Sequence, residues 1–264
     1  MTMPHAPFSY LASLWIQVTG TWCNLTCTHC FNSSGPKDPW LRSLDADAVT
    51  AAIREAEELG VKEIYFTGGE PFLHPKMLAF LEAGLAVAPA TVLTNGILVR
   101  EATADALAAL AAKSRYSLEV RVNIDDVDPE LNDRVRGRGA FAGAMRAVRL
   151  LTARGLLPIV TATEISMGAP STDPEQGMYA RLRRMLLAHG IAKPRIKIIP
   201  VFRMGQLQPI GTPTLLSPEM LQGFDFSTLM CSETRVVAQG GSTPARSWPA
   251  CRGRGSRTGA SGSP

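Results

Sequence analysis

From Leu14 to about residue 200, short apolar runs of strand length alternate with segments of helical period, and the connections between them are brief. "LWIQVTG" (14–20), "VKEIYFTGG" (61–69), "TVLTNG" (91–96), "LEVRVNID" (118–125), "LPIVTATEI" (157–165) and "RIKIIPVF" (195–202) read as strands. Between the first two, Val49, Ile53, Ala56 and Leu59 share one helical face, with Asp45 as N-cap and Gly60 as the stop. Pro75 opens a second helix ending near Gly84, and "EATADALAALAA" forms a third. Phe141, Met145, Val148 and Leu151 mark a fourth, and Met178, Leu182, Met185 and Leu186 a fifth. Six such alternations imply a parallel sheet with right-handed crossovers. Periodicity does not separate a doubly wound sheet from a barrel. In both, chemistry gathers just beyond the carboxyl ends of the strands.

At 264 residues, an α/β barrel of ordinary size would use nearly the whole chain. The composition, 45% hydrophobic and 19% charged, is that of a soluble globular protein, and no apolar run is long enough for a membrane span. The N-terminus lacks the basic region and cleavage site of a signal peptide, so the expected compartment is the cytoplasm. The net charge of +4 is matched by Arg246, Arg252, Arg254 and Arg257 near the C-terminus, so it gives no argument for nucleic-acid binding. Five cysteines, an odd number, without an export signal argue against a disulfide framework.

Three of those cysteines, Cys23, Cys27 and Cys30, follow the first strand in "CNLTCTHC" with spacing C-x3-C-x2-C. A structural zinc site wants four ligands; Cys231 is two hundred residues away, and His29 is poorly placed beside Cys30. Three thiolates suit an iron-sulfur cluster with one iron left open, while zinc and buried structural thiols remain alternatives. After the second strand, "YFTGGEPFLHP" places Gly68 and Gly69, whose backbone can approach a ligand closely, beside the Glu70 carboxylate. A lone "GGE" is more often just a tight turn.

The two stretches together resemble the radical SAM superfamily, in which a C-x3-C-x2-C loop after strand one is followed one βα unit later by "GGEP". The resemblance continues through "LTNG", "VNIDDVDPELNDRVRG" and "IPVFRMG", covering roughly residues 12 to 205. It implies a partial (β/α)6 TIM-like barrel that carries a four-iron, four-sulfur (4Fe-4S) cluster and binds S-adenosylmethionine. The cluster would reduce this cofactor to methionine and a 5′-deoxyadenosyl radical that abstracts a substrate hydrogen. On this resemblance Cys23, Cys27 and Cys30 are cluster ligands, and Gly68, Gly69 and Glu70 meet the methionyl end, Glu70 accepting from its ammonium. His29 stands where the family usually has an aromatic residue near adenine. Thr94, Asn95, Asn123, Asp125 and Thr163 are candidates for ribose or substrate contacts, Asn123 in place of the usual serine. Arg136 and Arg203 are candidates for binding a carboxylate or for structural ion pairs. A low-potential electron donor, flavodoxin or ferredoxin, is implied as partner.

"LNDRVRGRGAFAGAMRAVRLLTARG" and "RMG" resemble the branch with a C-terminal SPASM or twitch extension, many members of which modify ribosomal peptides. The entry to that extension is present in "MCSETRVVAQGG", and its Val-Tyr-x-Cys-Pro continuation is absent. One back-translation of "GSTPARSWPAC", shifted in frame, encodes VYPCPILARL, which suggests a one-base frameshift near Gly241. The expected organisation is a core barrel over 1–205, a linker and residual auxiliary-cluster region over 206–241, and a disordered, irregular Gly/Pro/Ser/Arg tail over 242–264. On this view Cys231 is an orphaned ligand and Cys251 accidental. The expected function is radical modification of a peptide or small metabolite. The alternatives are an inactive truncated remnant and, from a different class, a zinc-binding interaction module.

Overall fold

A computed structural model describes residues 7–37, 39–165, 176–207, 217 and 219–244. Six strands carry the alternation: β1 (Ser13–Gln17), β2 (Glu63–Thr67), β3 (Ala90–Thr94), β4 (Leu118–Asn123), β5 (Ile159–Thr163) and β6 (Arg195–Ile199). They pair in parallel in chain order, and β7 (Thr234–Ala238) and β8 (Gly241–Pro244) extend the sheet beyond β1, giving the order β6-β5-β4-β3-β2-β1-β7-β8. Only β8 runs antiparallel. The first six strands with their helices form the open (β/α)6 barrel expected from the sequence.

The helices are α1 (Ala46–Glu58), α2 (Met77–Val87), α3 (Glu101–Lys113), α4 (Pro129–Arg136), α5 (Ala140–Ala153) and α6 (Met178–Ala188). Asp45 caps α1 by accepting from the Ala48 N–H at 2.7 Å, and Gly60 leaves the helix at φ +70°. Pro75 does not open α2, which starts at Met77 and runs past Gly84 to Val87. Gly84 is instead a packing position, since a Cβ there would stand 2.9 Å from the Phe66 ring.

Parallel register sorts the strand residues onto two faces. Leu14, Ile16, Ile64, Phe66, Val92, Val120, Val122 and Val160 turn toward the helices and form one buried core with Val49, Ile53, Leu81, Leu107, Val148 and Leu182. Full burial of such side chains stabilises by about 1.5–3 kcal/mol each. The opposite, inner face is polar and aromatic. Trp15 stacks on Tyr65 with centroids 4.2 Å apart, Ser13 donates to Glu63 at 2.8 Å, and Arg121 lies over Tyr65 while pairing with Glu119 at 2.7 Å.

Three stretches depart from expectation. Helix α4 lies within a stretch read only as a motif. The region read as a linker and residual extension holds β7, which adds to β1 through Trp15↔Val236. Residues 242–244, placed in the disordered tail, belong to β8. The rest of that tail, with Cys251, lies outside the described residues. Cys231 is buried in a short turn before β7, beside Ser232, whose hydroxyl donates to the Leu229 carbonyl at 2.7 Å.

Candidate cluster and cofactor site

The three-cysteine loop leaves β1 at the carboxyl edge of the sheet and folds back on itself. The Cys23 N–H donates to the Gly35 carbonyl and the Gly35 N–H to the Thr21 carbonyl, at 3.0 and 3.1 Å. Backbone N–H groups also reach two sulfurs: Leu25 to Cys23 Sγ at 3.4 Å and Ser34 to Cys30 Sγ at 3.3 Å. Cys27 Sγ contacts the Arg136 carbonyl at 3.7 Å. Burial pushes the Cys23 thiol up to about 12 and the Cys27 thiol up to about 11.

Other segments fix this loop from three sides. The Glu70 N–H donates to the Trp22 carbonyl at 3.0 Å, the Thr28 N–H to Val135 at the end of α4 at 2.8 Å, and the Gln206 N–H to the Cys30 carbonyl at 3.0 Å. The glycine pair makes the first of these possible. Gly68 sits at φ +144° with its α-carbon turned to the Thr19 hydroxyl, and a Cβ on Gly69 would overlap the Trp22 carbonyl and stand 2.8 Å from Cys23 Cβ. The two glycines therefore bring the "GGE" backbone onto the cysteine loop.

Glu70 is fully buried at this junction. Its Oε1 accepts from the Phe72 N–H at 3.1 Å and the Thr94 hydroxyl at 2.7 Å, and its Oε2 from the Asn95 N–H at 2.8 Å. All three donors are neutral. With no cation paired to it among the described residues, burial pushes its carboxyl up to about 7 despite these bonds. Asn95 passes the connection onward, its amide donating to Asn24 Oδ1 at 2.7 Å. Thr94 and Asn95 are thus committed within the chain, as struts between β3, Glu70 and the cysteine loop.

Asp125 is the other buried carboxylate, and it does have a cationic partner, Arg136, with the His29 ring beside it. Arg136 Nε lies 2.6 Å and His29 Nε2 3.2 Å from Asp125 Oδ2, while the Thr163 N–H donates to Oδ1 at 2.8 Å. The Asp125 N–H donates to Asn132 Oδ1 at 2.9 Å, so α4 is locked to the end of β4. The His29 ring is therefore turned into this cluster, its side chain only 11% exposed. Burial pushes its pKa below the ordinary imidazole value, with Asp125 pulling the other way. Arg136 is a buried ion-pair partner, and Arg203 is exposed on the segment after β6. Asn123 and Thr163, half-buried at the ends of β4 and β5, remain on the inner face.

The donor set suits the cofactors that the sequence implies. Three partly or fully buried cysteines on one loop, with backbone N–H groups aimed at two of the sulfurs, suit iron-sulfur ligation. Among the described residues no three His, Cys, Asp or Glu side chains are gathered tightly enough to hold a single ion. The uncompensated Glu70 carboxyl suits an ammonium group. Asn24, Asn132, Trp15, Tyr65 and Arg121 were missed from sequence. For the last three the signal was present in the polar and aromatic alternate positions of β1, β2 and β4.

Residues 18–183 match the radical SAM superfamily. The chain belongs to that superfamily. The mycofactocin maturase MftC of Mycobacterium ulcerans is 34% identical over 134 residues, 50% of this chain and 34% of that protein. The PqqA peptide cyclase of Gluconobacter oxydans is 30% identical over 159 residues, 59% of this chain and 41% of that protein. The chain thus spans between a third and about two fifths of the length of these relatives. A crystal structure of Streptococcus suis SuiB superposes with TM-score 0.60 at 16% identity, covering 87% of this chain and 58% of that one, and shows the shared fold. Among the described residues no helix is long and apolar enough to cross a membrane.

Proposed function

We propose that this chain is a radical SAM enzyme that modifies a peptide. The observation that carries the chemistry is the three-thiol loop, with Cys23 buried and Cys27 and Cys30 half-buried, fixed at the carboxyl edge of the barrel beside a buried carboxyl with no cation paired to it among the described residues. The peptide substrate is supported by a relative named as a PqqA peptide cyclase, beside one named as a mycofactocin maturase.

In this reading Cys23, Cys27 and Cys30 hold a four-iron, four-sulfur cluster. Gly68 and Gly69 present backbone to the methionyl end of S-adenosylmethionine, and Glu70 accepts from its ammonium, a charge-assisted bond in a water-poor site. When bound, the cluster and S-adenosylmethionine would together supply the one-electron chemistry that removes a hydrogen atom from the substrate. Thr94 and Asn95 hold Glu70 in place. Asp125, Arg136 and His29 hold the cysteine loop against α4, so that it closes over the reacting groups and excludes water. Asn123 and Thr163 offer an amide and a hydroxyl for ribose or substrate. The electron comes from a small low-potential protein of the flavodoxin or ferredoxin type in the cytoplasm.

Anaerobic reconstitution with iron and sulfide, followed by reduction in the presence of S-adenosylmethionine, tests this. Formation of 5′-deoxyadenosine that rises when a precursor peptide encoded beside the gene is added supports it. A colourless protein that binds one zinc ion through the three cysteines would sink it.

A further inference from the structure

Among the described residues, one buried polar side chain has both its donor and its acceptor unsatisfied. Gln17, the last residue of β1, is completely buried, and neither its Nε2 nor its Oε1 has a partner among the described residues. A buried unpaired polar group costs about 1–3 kcal/mol, so an apolar side chain here would suit the free chain better. Such groups persist where something that comes and goes satisfies them. Gln17 alternates with Ile16 on β1, so it lies on the inner face, in register with Thr67 and two residues beyond the half-buried Trp15 that stacks on Tyr65. On the far part of the same face, in register with Asn123, the buried Thr161 hydroxyl is also unpartnered. The inner face therefore carries an amide at one side, a hydroxyl at the other, and an aromatic stack beside the amide.

A carboxamide offers one donor and one acceptor side by side, the complement of the N–H and C=O of a peptide group. We propose that Gln17 is a substrate-recognition residue that pairs with a backbone amide of a peptide laid across the inner face. The half-buried Trp15, backed by the buried Tyr65 ring, gives that peptide an apolar support, and Thr161 supplies a second hydrogen bond. Three rotatable bonds let the carboxamide swing from its closed position toward Trp15 as the peptide arrives. Recognition through backbone makes this subsite tolerant of the peptide's side chains. The inference rests on the peptide-modifying function proposed above and names one contact in it.

The test uses the reconstituted enzyme with its cluster oxidised, S-adenosylmethionine bound and glutamine labelled with 15N. The chain has six glutamines, so the side-chain spectrum is small, and Gln17→Leu identifies the Gln17 signal. The probe is N-acetyl-glycyl-glycine N-methylamide, compared with its ester analogue. The expected result is a saturable shift of the Gln17 amide by this triamide, at about tenfold higher affinity than the ester. Gln17→Leu should raise Tm by about 2–4 °C and abolish the saturable response. A fall in Tm in Gln17→Leu makes Gln17 structural and overturns the proposal. So does a Gln17 signal that moves on adding S-adenosylmethionine and then ignores the peptide, because the cofactor is then its partner. If the peptide shifts other signals and leaves Gln17 still, the proposal falls while peptide modification stands. If no signal moves, the proposal falls too, and 5′-deoxyadenosine formation with a precursor peptide decides the function separately.

Discussion

Glu70→Gln should change how the stability of the cluster-free protein depends on pH. Burial pushes the Glu70 carboxyl from its ordinary 4.5 up to about 7, against the pull of the Asn95 and Phe72 N–H groups and the Thr94 hydroxyl. Between those values the folded chain holds a proton that the unfolded chain has released. The stabilisation is therefore complete below 4.5 and is lost as pH rises through 7. A shift of roughly 2.5 units at 1.36 kcal/mol each is about 3 kcal/mol. Glutamine stays neutral throughout, so it keeps a fixed cost, that of aiming an amide at the Asn95 donor, without the pH term. The stability of wild type minus that of Glu70→Gln should thus fall by about 3 kcal/mol between pH 4.5 and 8. Urea denaturation at steps across that interval measures it, because the difference cancels the other carboxylates. A flat difference would refute the claim that Glu70 is buried without a compensating cation.

Gly69→Ala, which drives a methyl into the Trp22 carbonyl, should cost about 1–3 kcal/mol in thermal or urea unfolding and lower the iron bound on reconstitution. Asp125→Asn leaves Arg136 buried without its ion-pair partner, and a loss of about 3–5 kcal/mol in urea unfolding is expected. Cys23→Ala, Cys27→Ala and Cys30→Ala should each abolish retention of a four-iron cluster, read by iron and sulfide analysis of the reconstituted protein. Cys231→Ala should leave iron content unchanged, because Cys231 is buried in the turn before β7 and away from the loop; a fall in iron there would restore it as a ligand.

The strand-helix alternation, the Asp45 cap and the two motif loops were legible because each is written in local sequence. What failed to show was decided by partners far along the chain. The Asp128-Pro129 start of α4 was visible as a cap and helix opener, and Asp128 does accept from the Glu130 and Leu131 N–H groups. Yet eight residues with two buried polar side chains, Asn132 and Arg136, give no apolar stripe to read. Strand β7 has an apolar sequence of strand length, but its partner is β1, more than two hundred residues earlier, and no period reveals such a pairing. Thr94 and Asn95 were placed correctly at a strand end. Whether a residue there faces a ligand or braces a neighbour depends on three-dimensional register, and Glu70 claims both. His29 shows the same limit: its position in the motif is local, but the pocket that takes its ring is built by β4 and α4.

Asp125 and Glu70, two buried carboxylates at one rim, differ in a way that separates framework from function. Asp125 has Arg136 at 2.6 Å and His29 at 3.2 Å, so its charge is balanced inside the chain and its removal is a matter of stability. Glu70 has only neutral donors, so the free chain favours its protonated form near neutral pH. Evolution of a merely structural position would find a neutral glutamine or a nearby cation cheaper than this arrangement. A carboxyl kept dry, oriented by three hydrogen bonds and left without a countercharge gains most when a cation arrives from outside. The ammonium of S-adenosylmethionine is such a cation, and its binding should draw the proton off Glu70. Cofactor affinity should therefore rise with pH through about 7 in wild type and lose that rise in Glu70→Gln.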